Sequence, residues 1–417
     1  MFLDVLKRRN PKFVKAVVEL HQKGELKSNS YVIDMDTTTD NTKIIKEGAD
    51  KYGLNIYWMT KQINRPPAML KMFSDIGSPK TVAVDIDGAR MIVEHGGVVG
   101  HIGHLVNIPK NDIDWVLDID PDIITVYSLQ KAKDISDAAI KKGKVQDIML
   151  RVIDTTNFFY PGQTGGTYLS ELLDVIKELQ KMKGVQLAGV TNFPSQLFDP
   201  KKKKVVFNEN MVTILDAVDL IKSKTDIKLK QINMPGTTSS EILEMIAKKG
   251  GTHIEPGHGM TGTTPISIVK DTTELPSILY LTEVSHMLDD KTYIYGGGTW
   301  VDPVCSPPYQ PDSIFDRGMW VNPEFPPYQM KGFVHRDPDS IFDQEVKAEF
   351  PSRKLIDYYA DLMPDSGQDV RVNDSVIFCF RYQIFVNRSL VSIVSGIQSG
   401  HPKVVATYDV GGRQISR

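Results

Sequence analysis

Lys61 stands directly after the short apolar segment Trp58-Met59-Thr60, a pattern typical of a buried β-strand. A lysine amine that leaves a buried strand is partly desolvated, so its pKa falls and it becomes a better nucleophile towards a carbonyl group. The chemistry favoured by such an amine is Schiff-base formation. A solvent-facing lysine at a strand end is an equally good interpretation, so the position of Lys61 alone leaves both open.

A second candidate is the turn Asn233-Met234-Pro235-Gly236-Thr237-Thr238-Ser239, which joins an apolar stretch to a helical pattern. Small residues and hydroxyl groups at the start of a helix offer several hydrogen-bond donors, which suit a phosphate dianion. The alternative is an ordinary helix N-cap, in which Thr237 or Thr238 pairs with Glu241. The turn is therefore a modest signal by itself.

Glu255 is the third candidate, and it precedes Pro256-Gly257-His258 at the end of another apolar stretch. A carboxylate placed there can keep a pyridine nitrogen protonated, which makes the ring a stronger electron sink. A glutamate that caps the following turn is the alternative. The lysine, the hydroxyl-rich turn and the carboxylate together indicate a site for pyridoxal 5'-phosphate (PLP) more specifically than any one of them alone.

The elements that position these residues follow from alternating apolar and helical patterns. Eight strands are predicted, at residues 55–60, 81–85, 97–101, 123–127, 148–153, 186–192, 229–234 and 252–255. Helical patterns separate them, for instance at 168–183 and 239–249, and no Gly-rich phosphate loop follows the first strand. The pattern favours an α/β fold, a closed (β/α)8 TIM barrel, over an open doubly wound sheet.

The active site of such a barrel lies at the carboxyl ends of its strands. The polar residues at the predicted ends are Lys61, Asp85, His101, His104, Tyr127, Arg151, Thr191, Asn192, Asn233 and Glu255. The ends of neighbouring strands meet at the mouth of a barrel, so we expect these side chains to lie near a common site.

Three regions are predicted along the chain. Residues 1–30 form an N-terminal helical segment, residues 31–268 the PLP-binding barrel, and residues 269–417 a C-terminal all-β domain, because β-rich runs with turn residues replace the helical period there. A long Pro- and Asp-rich insert occupies about residues 301–350 and is interpreted as an ordered loop near the active site or a partner subunit.

Composition limits the classes of function. The net charge of -3 argues against a nucleic-acid partner, and neither a signal peptide nor an apolar stretch long enough to span a membrane is recognised. The two cysteines, Cys305 and Cys379, lie too far apart in sequence for a CxxC pair, which fits a reducing compartment. A cytoplasmic enzyme with a small-molecule substrate is the expectation.

The chain resembles fold-type III PLP-dependent enzymes, the alanine racemase-like group, and more narrowly YhfX-like proteins. The resemblance to the YhfX-like proteins extends over essentially the whole length. The stretches that carry it are Met59-Thr60-Lys61-Gln62, His101-Ile102-Gly103-His104-Leu105-Val106, Tyr160-Pro161-Gly162-Gln163, Glu255-Pro256-Gly257-His258, Tyr295-Gly296-Gly297-Gly298 and Cys379-Phe380-Arg381.

By position, the resemblance implies that Lys61 holds PLP as an internal aldimine. Gly236, Thr237, Thr238 and the backbone of Gly257 and His258 would hold the phosphate. Glu255 stands where alanine racemases have an arginine and the related decarboxylases a glutamate, so several reactions at the α-carbon stay open. The other expected cofactor-binding residues are Arg65, His101, His104, Arg151 and Asn233, with a surface role as the alternative for Arg65.

Tyr359 is the expected second acid/base. It lies in Tyr358-Tyr359-Ala360-Asp361, which is similar to a motif that the partner's β domain supplies in alanine racemase, and the resemblance implies a homodimer. A tyrosine packed in a turn is the alternative. No metal is expected, because the stretch from Cys379 to Gln383 lacks the His/Cys pair of the metal-binding relatives.

The leading interpretation is a PLP-dependent amino-acid racemase that uses Lys61 as one acid/base. The alternatives are a PLP-dependent lyase or decarboxylase, a PLP-binding protein without ordinary turnover, and a Schiff-base aldolase that lacks PLP. The sequence does not identify the amino acid.

Overall fold

The computed structural model describes residues 2–160, 162–199, 201–300, 330–351 and 355–416. The chain divides into two compact units: unit 1 comprises Met1–Thr42, Gln62–Ala68 and Met260–Arg417, and unit 2 comprises Lys43–Lys61 and Met69–Gly259. Among the described residues, no helix has both the length and the hydropathy needed to cross a membrane.

The described residues form ten α-helices, numbered in chain order. They are α1 (Phe2–Arg9), α2 (Pro11–Gln22), α3 (Met35–Tyr52), α4 (Pro67–Asp75), α5 (Ile86–Glu94), α6 (Ile113–Asp118), α7 (Leu129–Lys141), α8 (Leu172–Leu179), α9 (Glu209–Lys224) and α10 (Leu243–Lys248).

The strands of the same residues are numbered likewise. They are β1 (Ser30–Asp34), β2 (Asn55–Ile56), β3 (Trp58–Met59), β4 (Lys80–Ala83), β5 (Val98–Ile102), β6 (Ile123–Val126), β7 (Gln146–Ile153), β8 (Thr167–Tyr168), β9 (Val185–Thr191), β10 (Gln196–Asp199), β11 (Lys204–Phe207), β12 (Gln231–Asn233), β13 (His253–Ile254), β14 (Ile278–Leu288), β15 (Lys291–Tyr295), β16 (Lys331–His335), β17 (Glu345–Glu349), β18 (Tyr359–Met363), β19 (Ser375–Phe378), β20 (Leu390–Ser395), β21 (Lys403–Tyr408) and β22 (Gln414–Ser416).

Unit 2 is a parallel barrel with the strand order β2-β13-β12-β9-β7-β6-β5-β4-β3. β2 and β3 are two halves of one strand, interrupted at Tyr57, and this strand pairs with β13 on one side and with β4 on the other. The backbone N–H groups of Asn55, Tyr57 and Met59 all donate to the segment 252–256, which completes the ring. The eight predicted strands and the (β/α)8 barrel are therefore confirmed.

The register of the barrel brings polar residues of adjacent strands to one level. Arg151 on β7 pairs with Thr191 on β9, which in turn pairs with Asn233 on β12. All three residues are buried, and they lie at or near the carboxyl ends of their strands. The barrel therefore carries a buried polar layer at the end where the site was expected.

Unit 1 contains an all-β sheet, as predicted for the C-terminal region. Its strands β15, β18, β17, β16, β19 and β14 form a closed antiparallel ring, and β1, β20, β21 and β22 extend the sheet from β14. Helices α1 and α2 supply much of its apolar core, including Phe13 and Val17, which are fully buried with Leu281 and Ile377.

Two features of unit 1 differ from the sequence prediction. β1 pairs with β14 and β20 of this sheet, whereas the predicted boundary at residue 31 placed it with the barrel. Within the predicted loop at 301–350, β16 and β17 form an antiparallel pair, so residues 331–349 are not an irregular loop. Residues 301–329 of that insert, with Cys305, lie outside the described residues.

Candidate active site

Lys61 lies just beyond the split strand formed by β2 and β3. It is the first residue of a 3-10 turn, Lys61–Ile63, and is half-buried, whereas Thr60 before it is completely buried. The Met59 N–H donates to the Pro256 carbonyl at 2.9 Å, so the chain that leads to Lys61 runs beside the segment that carries Glu255. The structure thus brings the predicted lysine and the predicted carboxylate to neighbouring strand ends.

The Glu255 carboxylate has one occupied and one open oxygen. Its Oε1 accepts hydrogen bonds from His101 Nδ1 and Asn233 Nδ2, both at 2.6 Å, and the residue is 4 % exposed. Its Oε2 has no hydrogen-bond partner among the described residues, and His104 Nε2 lies 3.4 Å away. On its other side, His101 Nε2 lies 2.6 Å from the Thr125 hydroxyl. The geometry leaves Oε2 available to a ligand.

The charge state of this cluster follows from burial. Burial lowers the pKa of His104 to about 3, although Glu255 opposes this. Burial alone would raise the pKa of Glu255, but His104, His101 and the amide of Asn233 lower it to about 2. Because burial keeps the pKa of His104 low, the hydrogen bonds from His101 and Asn233 are the contacts that favour the carboxylate form of Glu255 at neutral pH.

Mild acid is expected to destabilise the protein. Burial lowers the pKa of His104 to about 3 and that of His253 to about 4, whereas an unfolded histidine titrates near 6.5. Below about pH 6.5 the unfolded state therefore binds more protons than the folded state. As the pH is lowered further, the free energy of unfolding falls by roughly 1 kcal/mol per pH unit for each histidine. Thermal melting between about pH 7.5 and about pH 5 measures this, with His253→Gln expected to flatten the slope. A melting temperature constant over that interval would contradict the prediction.

Arg151 is a buried cation held by neutral groups. Its side chain donates to the Tyr127 hydroxyl at 2.7 Å and to the Phe193 carbonyl at 3.4 Å, and its guanidinium stacks on the rings of Tyr127 and Phe159. Its Nε has no partner, and no acidic side chain lies within 4.0 Å, among the described residues. A charge buried in this way is costly without a counterion, so the position suits an anionic ligand group.

Lys61 and Arg151 belong to the same cluster as the histidines. The positive charges of both side chains lower the pKa of His104, together with its burial. The Tyr127 hydroxyl also donates to the His104 carbonyl at 2.8 Å. The barrel mouth therefore joins a half-buried amine, a buried guanidinium and a buried carboxylate around one neutral imidazole.

The hydroxyl-rich turn precedes a 3-10 turn, Ser240–Ile242, and the short helix α10. The predicted capping alternative, with Thr237 or Thr238 as the N-cap, is wrong: Ser239 is the N-cap, and its side chain makes no capping hydrogen bond. Ser239 is fully buried, and its hydroxyl has no partner among the described residues. A Cβ on Gly259 would meet the Thr238 carbonyl at 2.7 Å, so the segment after Glu255 packs directly on this turn.

Two predicted residues belong to unit 1. Arg65 is 4 % exposed and lies over the ring of Phe385, so the surface alternative for Arg65 is wrong. Tyr359 is the first residue of strand β18, paired with Tyr295 on β15, and not part of a turn; its side chain is 42 % exposed. Cys379 is buried, and burial raises its pKa to about 12.

Among the other polar residues at strand ends, two have structural roles. Asp85 caps helix α5 by accepting from the Gly88 N–H, and Asn192 donates to Asn157 at 2.6 Å. Thr125 was not among the sequence candidates, and Ser239 was included only as the last residue of the hydroxyl-rich turn. A threonine within the apolar run Ile-Ile-Thr-Val was the available signal for Thr125, because a polar residue in a buried strand needs a partner.

His101, His104 and Glu255 also satisfy the distance condition for a metal site. One potential ligand atom from each residue lies within 4.8 Å of the others. However, both nitrogens of His101 and one oxygen of Glu255 are already hydrogen bonded, so coordination by His101 requires breaking an existing bond. The absence of a metal stays a prediction.

Comparisons with known proteins agree with this geometry. The family model described as "Alanine racemase, N-terminal domain" matches residues 33–265, and the model "YhfX-like, C-terminal domain" matches residues 324–404. The "Uncharacterized protein YhfX" of Escherichia coli (strain K12) is 36 % identical over 415 residues, covering 100 % of both chains.

Solved structures share the fold at low identity. A D-threonine aldolase from Filomicrobium marinum has a TM-score of 0.62 at 13 % identity, covering 93 % of this chain and 96 % of its own. An alanine racemase of Clostridium difficile 630 in complex with cycloserine has a TM-score of 0.60 at 12 % identity, covering 91 % and 98 %. A D-threo-3-hydroxyaspartate dehydratase from Delftia sp. HT23 has a TM-score of 0.61 at 13 % identity, covering 91 % and 97 %.

These matches agree with the predicted family, fold and cofactor. The alanine racemase-like family binds PLP, and its members include enzymes of more than one reaction class. The chain therefore belongs to the alanine racemase N-terminal domain family of PLP-dependent proteins, in its YhfX-like branch.

Proposed function

We propose that this chain is a PLP-dependent enzyme that removes and returns the α-proton of an amino acid, with racemisation as its leading reaction. The observation that carries the proposal is the Glu255 carboxylate, which is buried and has one free oxygen beside the strand that leads to Lys61. A protein that only needed to fold would gain little from such an arrangement, because each unsatisfied buried polar atom is costly.

The side chains at the barrel mouth fit the cofactor group by group. Lys61 would hold it covalently through its amine, and Glu255 Oε2 would accept a hydrogen bond from its ring nitrogen. The turn at Gly236, Thr237 and Thr238 would hold the phosphate, with the backbone of Gly257 and His258. The unpartnered hydroxyl of Ser239 and the unpartnered Nε of Arg151 support this fit, because each is a buried donor that needs an acceptor.

When bound, PLP supplies an electron sink that stabilises negative charge at the α-carbon of an amino acid. The residues of the protein itself supply the proton transfer and the charge that the reaction needs. Once its amine is released, Lys61 can take the α-proton on one face of the substrate and return it. Before the cofactor binds, the low pKa values of Glu255 and His104 favour a carboxylate beside an uncharged imidazole at neutral pH.

A lyase or decarboxylase is the second candidate. Glu255 favours charge build-up on the ring, which serves elimination, retro-aldol cleavage and decarboxylation as well as racemisation. The structural similarity to a D-threonine aldolase and to a D-threo-3-hydroxyaspartate dehydratase supports it. A PLP-binding protein without ordinary turnover is the third possibility.

Isotope exchange separates these reactions. With PLP-loaded protein in deuterium oxide, we expect an accepted amino acid to gain α-deuterium and to lose its optical purity, without net loss of the amino acid. A panel of D- and L-amino acids, followed by NMR and chiral chromatography, measures this. Release of ammonia, aldehyde or carbon dioxide would replace the racemase by the lyase, and no reaction with any member would favour the protein without turnover.

Tyr359 is proposed as the second acid/base, supplied by a second copy of the chain in a homodimer. Its half-exposed position on β18 supports the proposal, since an acid/base must reach another molecule. Tyr359→Phe is expected to lower racemisation by about 10²-fold or more, whereas Tyr358→Phe should have little effect.

Mixing two inactive variants tests the origin of Tyr359. If the partner supplies it, co-folding Lys61→Ala with Tyr359→Phe creates one intact site per mixed dimer, and part of the activity returns. If the activity stays absent although mixed dimers form, Tyr359 does not act across the dimer.

A further inference from the structure

Glu255 is held by a buried chain of hydrogen bonds, and the proposed function assigns no task to the outer members of this chain, His101 and Thr125. The chain runs from the Thr125 hydroxyl to His101 Nε2, and from His101 Nδ1 to Glu255 Oε1, with both distances 2.6 Å. His101 and Thr125 are both fully buried. A histidine with both nitrogens bonded has a fixed ring orientation, so it presents Nδ1 to the carboxylate in one direction only.

This series of hydrogen bonds determines which oxygen of Glu255 can accept a hydrogen bond from a ligand. An ionised carboxylate only accepts hydrogen bonds, so the contacting groups of His101 and Asn233 must be donors. Both donate to Oε1, which leaves Oε2 as the oxygen without a hydrogen-bond partner among the described residues. A donor on the ligand side therefore meets Oε2.

We infer that His101 is a positioning residue: its hydrogen bond to Oε1 keeps Glu255 a carboxylate that receives a ligand through Oε2, and thereby keeps the proton on the cofactor's ring nitrogen. The inference rests on the proposed function, because it takes PLP to be the ligand. Without the Nδ1 donor, the carboxylate becomes a stronger base, so Glu255 takes that proton onto Oε2 and the nitrogen loses it.

The other titratable groups near Glu255 make different contacts. His104 Nε2 lies 3.4 Å from Oε2 without hydrogen-bond geometry, and His104 is uncharged at neutral pH. Tyr57 and His253 interact with Glu255 electrostatically, but the Tyr57 hydroxyl donates to Asp122 and accepts from Gln231. His253 Nδ1 lies 2.8 Å from the Thr252 hydroxyl. His101 is thus the titratable residue with a short hydrogen bond to the carboxylate.

The variants follow from the geometry. His101→Leu removes the donor, whereas His101→Asn places an amide N–H near the position of Nδ1 and cannot titrate. Thr125→Val removes only the far end of the chain and should give a smaller effect in the same direction. His253→Gln is the matched control, because it removes a buried imidazole of the same barrel without a hydrogen bond to Glu255.

The experiment measures the protonation state of the ring nitrogen directly. Each purified protein is loaded with PLP labelled with ¹⁵N at the ring nitrogen, and its chemical shift is measured at neutral pH. Free labelled PLP in acid and in base gives the protonated and unprotonated references. We expect the wild type, His101→Asn and His253→Gln to lie near the protonated reference, and His101→Leu to lie most of the way towards the unprotonated one.

The outcomes separate this inference from the proposed function. If the wild type takes up no PLP, the proposed function fails and the inference fails with it. If the wild type binds PLP but His101→Leu shows the same chemical shift, the proposed function stands and the positioning role is overturned. If His101→Leu does not fold, the other two variants decide. The positioning role is overturned if the ¹⁵N chemical shift of Thr125→Val equals that of the wild type and the ring nitrogen of His101→Asn is unprotonated.

Discussion

Lys61→Ala is expected to lower any reaction at the α-carbon on the order of 10³-fold or more, because one substitution removes both the covalent attachment of the cofactor and an acid/base. Bound PLP should also be lost on gel filtration, since only non-covalent contacts would remain to hold it. The rate is measured by α-deuterium exchange, and retained PLP by its absorbance after alkaline release.

Lys80→Ala is the matched control for this variant. Lys80 is the first residue of β4, in the same barrel, and makes an ion pair with Asp122 at 2.6 Å. It lies at the amino end of its strand, away from the carboxyl ends that carry the site. If Lys61→Ala keeps its PLP and at least half the wild-type rate, the assignment of Lys61 is wrong.

Glu255→Gln is expected to leave PLP attached to Lys61 but to lower the rate by about 10²-fold or more. Glutamine has nearly the same shape as glutamate but carries no charge, so the ring nitrogen loses the anion that keeps it protonated. The glutamine side chain also has an NH₂ donor in place of one carboxylate oxygen, so either His101 or the ring nitrogen faces a donor instead of an acceptor. Absorption spectra and exchange rates of the same samples measure the two effects separately.

Glu244→Gln provides the comparison, because Glu244 is an exposed glutamate on α10 of the same unit, paired with Lys248. Its substitution should change neither the spectrum nor the rate. A Glu255→Gln protein that turns over within a factor of about two of wild type would exclude a role for the carboxylate in charge stabilisation.

The barrel could be predicted from sequence because its strands are buried on both faces. In Ile123–Val126, for example, all four residues are buried and three of the four are apolar, so the segment stands out as an apolar run. The start of the predicted helix at 168–183 was wrong, since Thr167–Tyr168 instead pairs with β7 and α8 begins only at Leu172. Helix ends depend on such local competition, which periodicity does not reveal.

The partner of β1 could not be predicted. Its residues Ser30–Asp34 pair with 278–281 and 390–394, far away in sequence, and a strand pattern carries no information about its partner. The strand Glu345–Glu349, by contrast, has an alternation of polar and apolar residues that matches its burial. This alternation predicts a strand, but the Pro-rich composition of the preceding segment favoured a loop over the whole insert.

Within the candidate site, sequence position predicted Lys61, His101, Arg151, Asn233 and Glu255 as strand-end residues, because the (β/α)8 fold places such ends together. It was not predictable that Oε1 of Glu255 accepts the hydrogen bonds within the protein while Oε2 has no partner among the described residues. It depends on side-chain orientations of residues separated by 154 positions in sequence, as for His101 and Glu255. Spacing along the chain carries no such information.

The central claim is tested most directly by the visible absorption spectrum of the purified protein with PLP, recorded before and after borohydride. We predict a visible band that borohydride abolishes, with the cofactor then fixed to the peptide that contains Lys61, as read by mass spectrometry. A wild-type protein that stays colourless with PLP, or that carries the reduced cofactor on another lysine, would contradict the account.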